Sequence, residues 1–234
     1  MDKVFQNDFE PTQAIIVFKQ NRNFENNYYL ESRRIEHTDK GYQMTEGTPL
    51  SKNTLAQIMD SVKVDESDKI TCSSIFPKNL LYYQIKNLEP HIVWFVPSGA
   101  KSLIFSKSLN IKNGEAHLPT LVFSLKGKEL SVFAVKTNNP NGDTLLYKAP
   151  FHNVYSGGNI CMGSAKAKKS NDVIKIMKNY EKAFFGSKFT HLHSQGSPID
   201  GNLNTYFNKL IKSKCKFDKS LLKRSKVEYI NDLI

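Results

Sequence analysis

Scarcity bounds this chain before any motif is read. Its 234 residues include only three cysteines, Cys72, Cys161 and Cys215, which are far apart and odd in number. They describe neither a disulfide framework nor a zinc cluster, and they fit a reducing compartment. Long hydrophobic runs are missing too. The best, Ala14-Ile15-Ile16-Val17-Phe18 and Ile92-Val93-Trp94-Phe95-Val96, fall far short of the roughly 18 apolar residues that cross a bilayer. The opening residues, MDKVFQNDFEPTQ, hold no signal-peptide apolar core, so the expectation is a cytoplasmic protein without membrane attachment. There is no P-loop, no G-x-G-x-x-G, no H-E-x-x-H and no paired cysteines, so no cofactor or metal is expected on this chain. Acidic residues are outnumbered, 22 against 33 Lys and Arg, for a formal charge of +11. That balance points to an acidic partner: nucleic acid, an acidic protein face or membrane phosphate.

What is present reads as a folded protein with enough chain for a proper core, at 39% hydrophobic and 24% charged residues. The positive charge is concentrated. Lys209, Lys212, Lys214, Lys216, Lys219, Lys223, Arg224 and Lys226 are opposed there by Asp218 alone, and Lys166, Lys168 and Lys169 follow Cys161. Neither cluster is interleaved with aromatics that could stack bases, so nucleic-acid binding is the weaker use of this charge.

Local patterning sets the elements. The apolar run at 14–18 and the aromatic, β-compatible stretch at 28–35 read as strands. After Gly47-Thr48-Pro49, Ser51 can cap a helix whose Leu55, Ile58, Met59 and Val62 fall on one face, which would pack on a sheet. From Ile70 the pattern is β-rich, with strands expected at 92–96, 102–105, 120–125 and 130–136, the last two joined by a hairpin turn at Gly127. Successive hairpins make an antiparallel meander, closed by Asn138-Asn139-Pro140-Asn141-Gly142. The period then becomes helical. Val173, Met177, Tyr180 and Phe184 follow a cap at Ser170 or Asn171 and stop at Gly186. A second helix begins near Asn202 with Leu203, Tyr206, Phe207, Leu210 and Ile211 on one face, and the chain beyond Lys212 reads as helical or frayed. Strands followed by helices define an α+β domain.

Between meander and helices runs APFHNVYSGGNICMG, residues 149–163, with Cys161 between Ile160 and Met162. Pro150 favours an extended Ala149, Gly157-Gly158 loosens the backbone, and Asn153 carries an amide that can donate hydrogen bonds. A thiol suits acyl carriage, because its thiolate attacks carbonyl carbon well and the thioester stays reactive toward amines. A buried structural cysteine is the plainer alternative.

This segment resembles the active-site stretch of ubiquitin-conjugating enzymes, H-P-N followed by a glycine-containing turn and an apolar-Cys-apolar triplet. Asn153 and Cys161 match in type and spacing, whereas Phe151 occupies the histidine position and His152 the proline position. More narrowly, the chain resembles the PRTRC system protein B family, a bacterial, plasmid-associated branch of that fold. The resemblance also takes in WFVPSGAKSLIF (94–105), HLPTLVF (117–123) and AFFGSKFTH (183–191), and covers roughly residues 90–195. It implies an α+β, ubiquitin-conjugating-enzyme-like fold: a core at 70–212, an N-terminal β/α extension at 1–69 packed on it, and a basic tail at 213–234.

By the same resemblance Cys161 is the nucleophile and Asn153 the oxyanion donor, a local loop-stabilising role for Asn153 being the compatible alternative. His191, the histidine after the cysteine, is the candidate for base or positioning work, with His193 beside it. His152, His37, His91 and His117 rank lower, and Trp94, Tyr82 and Tyr83 read as core or edge packing. The family context implies three partners: a ubiquitin-like protein, a ThiF-related activating enzyme and a JAB-type peptidase. The expected function is a cysteine carrier that takes the ubiquitin-like protein as a thioester and passes it to an amine. A catalytically inactive docking module of the same fold and a basic nucleic-acid-binding protein remain as alternatives.

Overall fold

In the computed structural model, which describes residues 10–19, 28–61, 70–72, 75–86, 89–192 and 196–234, the apolar run at 14–18 becomes strand β1 (Gln13–Lys19). It pairs antiparallel with β2 (Tyr28–Thr38), which also pairs with β3 (Gly41–Met44) and β4 (Thr48–Pro49). Ser51 starts helix α1 (Lys52–Ser61), its hydroxyl accepting from Thr54 N–H at 3.1 Å. Leu55 and Ile58 are half-buried on that helix, and Val62 lies outside the described residues. These elements belong to one unit, Met1–Val64, and the rest to a second, Asp65–Ile234. The sequence reading set its boundary at 69/70; residues 62–69 lie outside the described set.

The second unit is built on a six-stranded antiparallel sheet. Its strands are β5 (Leu80–Lys86), β6 (Glu89–Val96), β9 (Thr120–Lys126), β10 (Glu129–Val135), β11 (Leu145–Lys148) and β13 (Arg224–Tyr229), ordered β13-β11-β10-β9-β6-β5. The expected hairpin is present: Glu129 pairs with Lys126 across a two-residue loop that opens on Gly127, at φ +59. The expected order of successive hairpins is interrupted, however. β7 (Gly99–Phe105) and β8 (Gly114–Leu118) pair with each other and leave the ladder, so β6 pairs directly with β9. β7 also pairs in parallel with the short β12 (Lys188–Phe189).

The apolar runs at 92–96 and 120–125 are nearly continuous because both faces of the sheet are covered. Ile92, Trp94, Phe123, Leu125 and Val132 face a large core completed by helices α2 (Val173–Phe185) and α3 (Leu203–Ser213). Val93, Phe95, Val122, Phe133 and Val135 face a smaller one closed by Leu146, Ile230 and Leu233. The stretch read as a helical or frayed tail is therefore a working part of the fold. β13 pairs with β11, and Phe217, Leu222, Ile230 and Leu233 are buried. Its basic residues disguised a strand in which Ser225 and Val227 are half-buried, followed by a 3-10 turn whose Ile230 and Leu233 cap the second face.

Both helix starts carry an Asx cap. Asn202 Oδ1 accepts from Thr205 N–H at 3.0 Å on α3, as expected near that residue. On α2 the cap is Asp172, accepting from Lys175 N–H at 2.9 Å, rather than Ser170 or Asn171; Ser170 Oγ instead accepts from Asp172 N–H. Trp94 and Phe123 stack inside the core at 5.4 Å, and the indole N–H of Trp94 donates to Glu181 Oε1 at 2.9 Å. Among the described residues no helix is long and apolar enough to cross a membrane.

Candidate active site

Residues 153–161 fold into a tight β-hairpin. Cys161 N–H donates to Asn153 O at 2.7 Å, Tyr155 N–H donates to Asn159 O at 2.9 Å, and Val154 bridges Ile160 between them. Gly158 closes the turn by donating to Tyr155 O at 2.9 Å. It has φ +94, and a Cβ there would meet the Phe133 ring at 2.4 Å, so both backbone and space require glycine. The returning arm is fastened to the half of β10 that β11 does not pair. Val132 N–H donates to Gly158 O and Ile160 N–H to Leu130 O, each at 2.9 Å, while Ser131 Oγ–H donates to Asn159 Oδ1 at 2.9 Å.

Alternation about the Val154/Ile160 pair sends those two side chains toward the core and Tyr155, Asn159 and Cys161 to the opposite face. Cys161 is half-buried and Tyr155 is 45% exposed. The Tyr155 hydroxyl donates to Cys161 Sγ. Proximity to the cysteine charge raises the Tyr155 pKa most, with burial and that hydrogen bond adding to it. The phenol thus keeps its proton and remains a donor to sulfur at neutral pH.

Asn153 breaks the alternation. It sits in the left-handed region at φ 64, which asparagine tolerates better than most residues, and only 7% of it is exposed. Its carboxamide is aimed at the chain following α2. Nδ2 donates to Lys188 O at 3.1 Å, and Oδ1 accepts from Thr190 N–H at 3.0 Å and from the Thr190 hydroxyl at 2.9 Å. The side chain thus replaces a peptide unit, pairing with backbone on both sides of Phe189, and these partners fix which end is oxygen.

The Asn153 backbone joins two further residues. Its carbonyl accepts from Cys161 N–H, and its N–H donates to His191 O at 3.0 Å. Cys161 and His191 therefore flank Asn153, about two strand spacings or ~10 Å apart at the backbone. His191 is exposed, and its Nδ1 lies 2.8 Å from the Thr190 hydroxyl oxygen. With the hydroxyl proton given to Asn153 Oδ1, Thr190 accepts from His191 Nδ1–H, and Nε2 carries the basic lone pair. His193 lies outside the described residues.

Four of the other aromatic and histidine positions are engaged within the fold. Phe151 is 1% exposed and stacks on Phe189 at 5.5 Å, with Phe184 edge-on at 5.1 Å. His152 turns the other way, 1% exposed, with Nε2 2.8 Å from Asn204 Oδ1; burial foremost holds its pKa down. Trp94 is fully buried, and His91 Nε2 lies 2.8 Å from Leu233 O. Among the described residues no three His, Cys, Asp or Glu side chains are grouped to hold a metal ion. Tyr155 and Thr190 were missed by motif reading. Tyr155 carried a usable signal, since a tight turn at Ser156-Gly157-Gly158-Asn159 pairs 154 with 160 and places 155 diagonally across from 161.

An antiparallel sheet, a crossing hairpin that carries a half-buried thiol, and two helices after it define an α+β fold of the ubiquitin-conjugating class. The chain belongs to prokaryotic E2 family D, whose family model matches residues 54–225, the PRTRC system protein B branch that its sequence blocks resemble. Neither the curated proteins nor the solved structures gave a match.

Proposed function

We propose that this protein is a cysteine carrier of a ubiquitin-like protein, loaded by a ThiF-related activating enzyme and discharged onto an amine. The observation that carries this reading is the protonated phenol of Tyr155 donating to the half-buried sulfur of Cys161 on a hairpin of defined geometry. A thiol placed only for packing has no need of a partly exposed hydroxyl donor. In loading, Cys161 thiolate attacks the carbonyl carbon of the activating enzyme's thioester, and that enzyme's cysteine leaves as thiolate. In discharge, a deprotonated amine attacks the Cys161 thioester, an oxyanion forms, and collapse expels the Cys161 thiolate as the new amide forms. His191, about 10 Å away along the backbone, would take the amine's proton through the incoming chain or a water rather than from sulfur directly. A JAB-type peptidase of the same system would reverse the conjugation.

One observation favours the second reading, an inactive docking module. The Asn153 carboxamide is engaged with Lys188 and Thr190, so an oxyanion would need another donor or a rearranged loop. The experiment that separates the two is incubation of the chain with its cognate activating enzyme, ubiquitin-like protein and ATP. A thiol-labile adduct lost in Cys161→Ala, and retained in Cys72→Ala and Cys215→Ala, is the expected result. No adduct with partners proven competent on each other leaves the docking module standing.

A further inference from the structure

Helix α3 carries two asparagines one turn apart, and both clamp the turn that follows β7. Asn204 Nδ2 donates to Leu109 O at 2.9 Å, Asn208 Nδ2 donates to Asn110 O at 2.9 Å, and Asn208 Oδ1 accepts from Lys112 N–H at 3.2 Å. The clamped turn includes a 3-10 segment, Lys107–Leu109, and a left-handed Asn110 at φ 52. Between turn and helix lies a groove of about 750 Å³. Ile111, 7% exposed, and the half-buried Ile211 provide its apolar floor, and the exposed Lys107, Lys112 and Lys212 its rim.

No Asp or Glu lines this groove. The ion pairs found among the described residues, Arg33 with Glu31 and Lys223 with Asp200, do not involve the rim lysines. Three ammonium groups around a preformed concavity with an apolar floor complement an extended acidic segment bearing apolar side chains. No aromatic side chain lines the groove, so the bases of a nucleic acid would find nothing to stack on. The groove is also joined to the cysteine hairpin. Asn204 gives its Nδ2 to Leu109, so its Oδ1 is the acceptor for His152 Nε2–H at 2.8 Å, and His152 immediately precedes Asn153.

We propose that this groove docks an acidic, leucine- or isoleucine-bearing segment of the protein partner whose thioester-bound acyl group passes to Cys161, that partner's own cysteine leaving as thiolate. The identity of that partner rests on the carrier reading above; the chemistry of the groove does not. The test uses the full chain and a fluorescein-labelled peptide alternating Glu and Leu, followed by fluorescence anisotropy. Lys107→Glu/Lys112→Glu/Lys212→Glu weakens binding about tenfold or more, whereas the equally charged control Lys166→Glu/Lys168→Glu/Lys169→Glu changes it less than about twofold. Thermal melts show both triple variants folded, as expected for exposed lysines.

Equal weakening by the two triples overturns the proposal in favour of general attraction to a basic chain. Undiminished binding of a Glu/Ser peptide overturns the role of the isoleucine floor. Tighter binding of a single-stranded oligonucleotide, abolished by the groove triple alone, makes the groove a nucleic-acid contact instead. Cys161→Ala binds the peptide like the parent chain. A missing thioester with intact peptide binding therefore counts against the carrier reading alone, and an intact thioester with no groove-dependent binding counts against docking alone.

Discussion

Replacing Asn153 tests whether its carboxamide serves the fold or the chemistry. In Asn153→Ala two groups lose close partners, Lys188 O and Thr190 N–H, and His191 N–H loses a long 3.5 Å bond to the same oxygen, in a site where the residue is 7% exposed. Each such orphaned group costs about 1–3 kcal/mol. The Thr190 hydroxyl is spared, because the exposed His191 can move its proton to Nε2 and let Nδ1, at 2.8 Å, accept the hydroxyl hydrogen. Alanine must also hold φ 64, which adds about 1 kcal/mol that asparagine largely avoids. The sum is about 3–7 kcal/mol, and at ~2–4 °C per kcal/mol for a domain of this size the melting temperature falls by at least about 6 °C.

Asn153→Gly separates the two causes. It keeps the left-handed backbone without strain, so it falls about 1 kcal/mol less than alanine while losing the same hydrogen bonds. A carboxamide reserved for an oxyanion behaves differently: melting unchanged, and discharge of a preformed thioester slowed about a hundredfold. Thermal unfolding by circular dichroism reads the first effect without any partner protein. Melting of Asn153→Ala within about 2 °C of the parent chain refutes the structural accounting.

Three further outcomes follow from the same geometry. Gly158→Ala must hold φ +94 and displace the Phe133 ring, costing about 2–4 kcal/mol in a urea melt, while Gly157→Ala, with nothing within 4 Å, stays within about 0.5 kcal/mol; equal losses contradict the close-approach argument. Tyr155→Phe removes the donor to Cys161 Sγ, so iodoacetamide alkylation of Cys161 at neutral pH slows about three- to tenfold, and an unchanged rate removes Tyr155 from the site. Glu181 has its pKa raised, by burial above all, against the opposing pull of Trp94 N–H, Lys101 and Lys178. A carboxyl raised in the native state stabilises below its unfolded value, and that contribution is lost as pH rises through the native one. Glu181→Gln keeps an acceptor for Trp94, so it melts about 2 °C above the parent chain at pH 7, with the gap closing toward pH 4; a gap that widens on acidification reverses the sign and defeats the argument.

The legible parts of the fold were those written in local periodicity. Ser51 and Asn202 announce their helices, the 3.6-residue spacing of Val173, Met177, Tyr180 and Phe184 marks α2, and Gly127 marks the β9–β10 hairpin. β13 was less legible because Lys223, Arg224 and Lys226 dominate its stretch, although alternation was present at Ser225 and Val227. The exit of β7 and β8 from the main sheet was not legible at all. Two adjacent antiparallel strands look the same in sequence whether they extend a ladder or start another, since the choice lies in which edge each one meets.

At the site the division is similar. Residues 149–163 by themselves determined a turn at the glycine pair, a cysteine between apolar neighbours and an asparagine eight positions earlier, because turn chemistry and side-chain alternation act within a few residues. Only the tertiary structure decided where the Asn153 carboxamide points, since its partners at 188 and 190 arrive after a helix and are chosen by the need to satisfy buried backbone groups. It also decided that Phe151 belongs to a cage with Phe184 and Phe189, and that Tyr155 faces the sulfur. Spacing along a chain constrains which side chains share a face, whereas the pairing of buried donors and acceptors is settled by segments that meet in space.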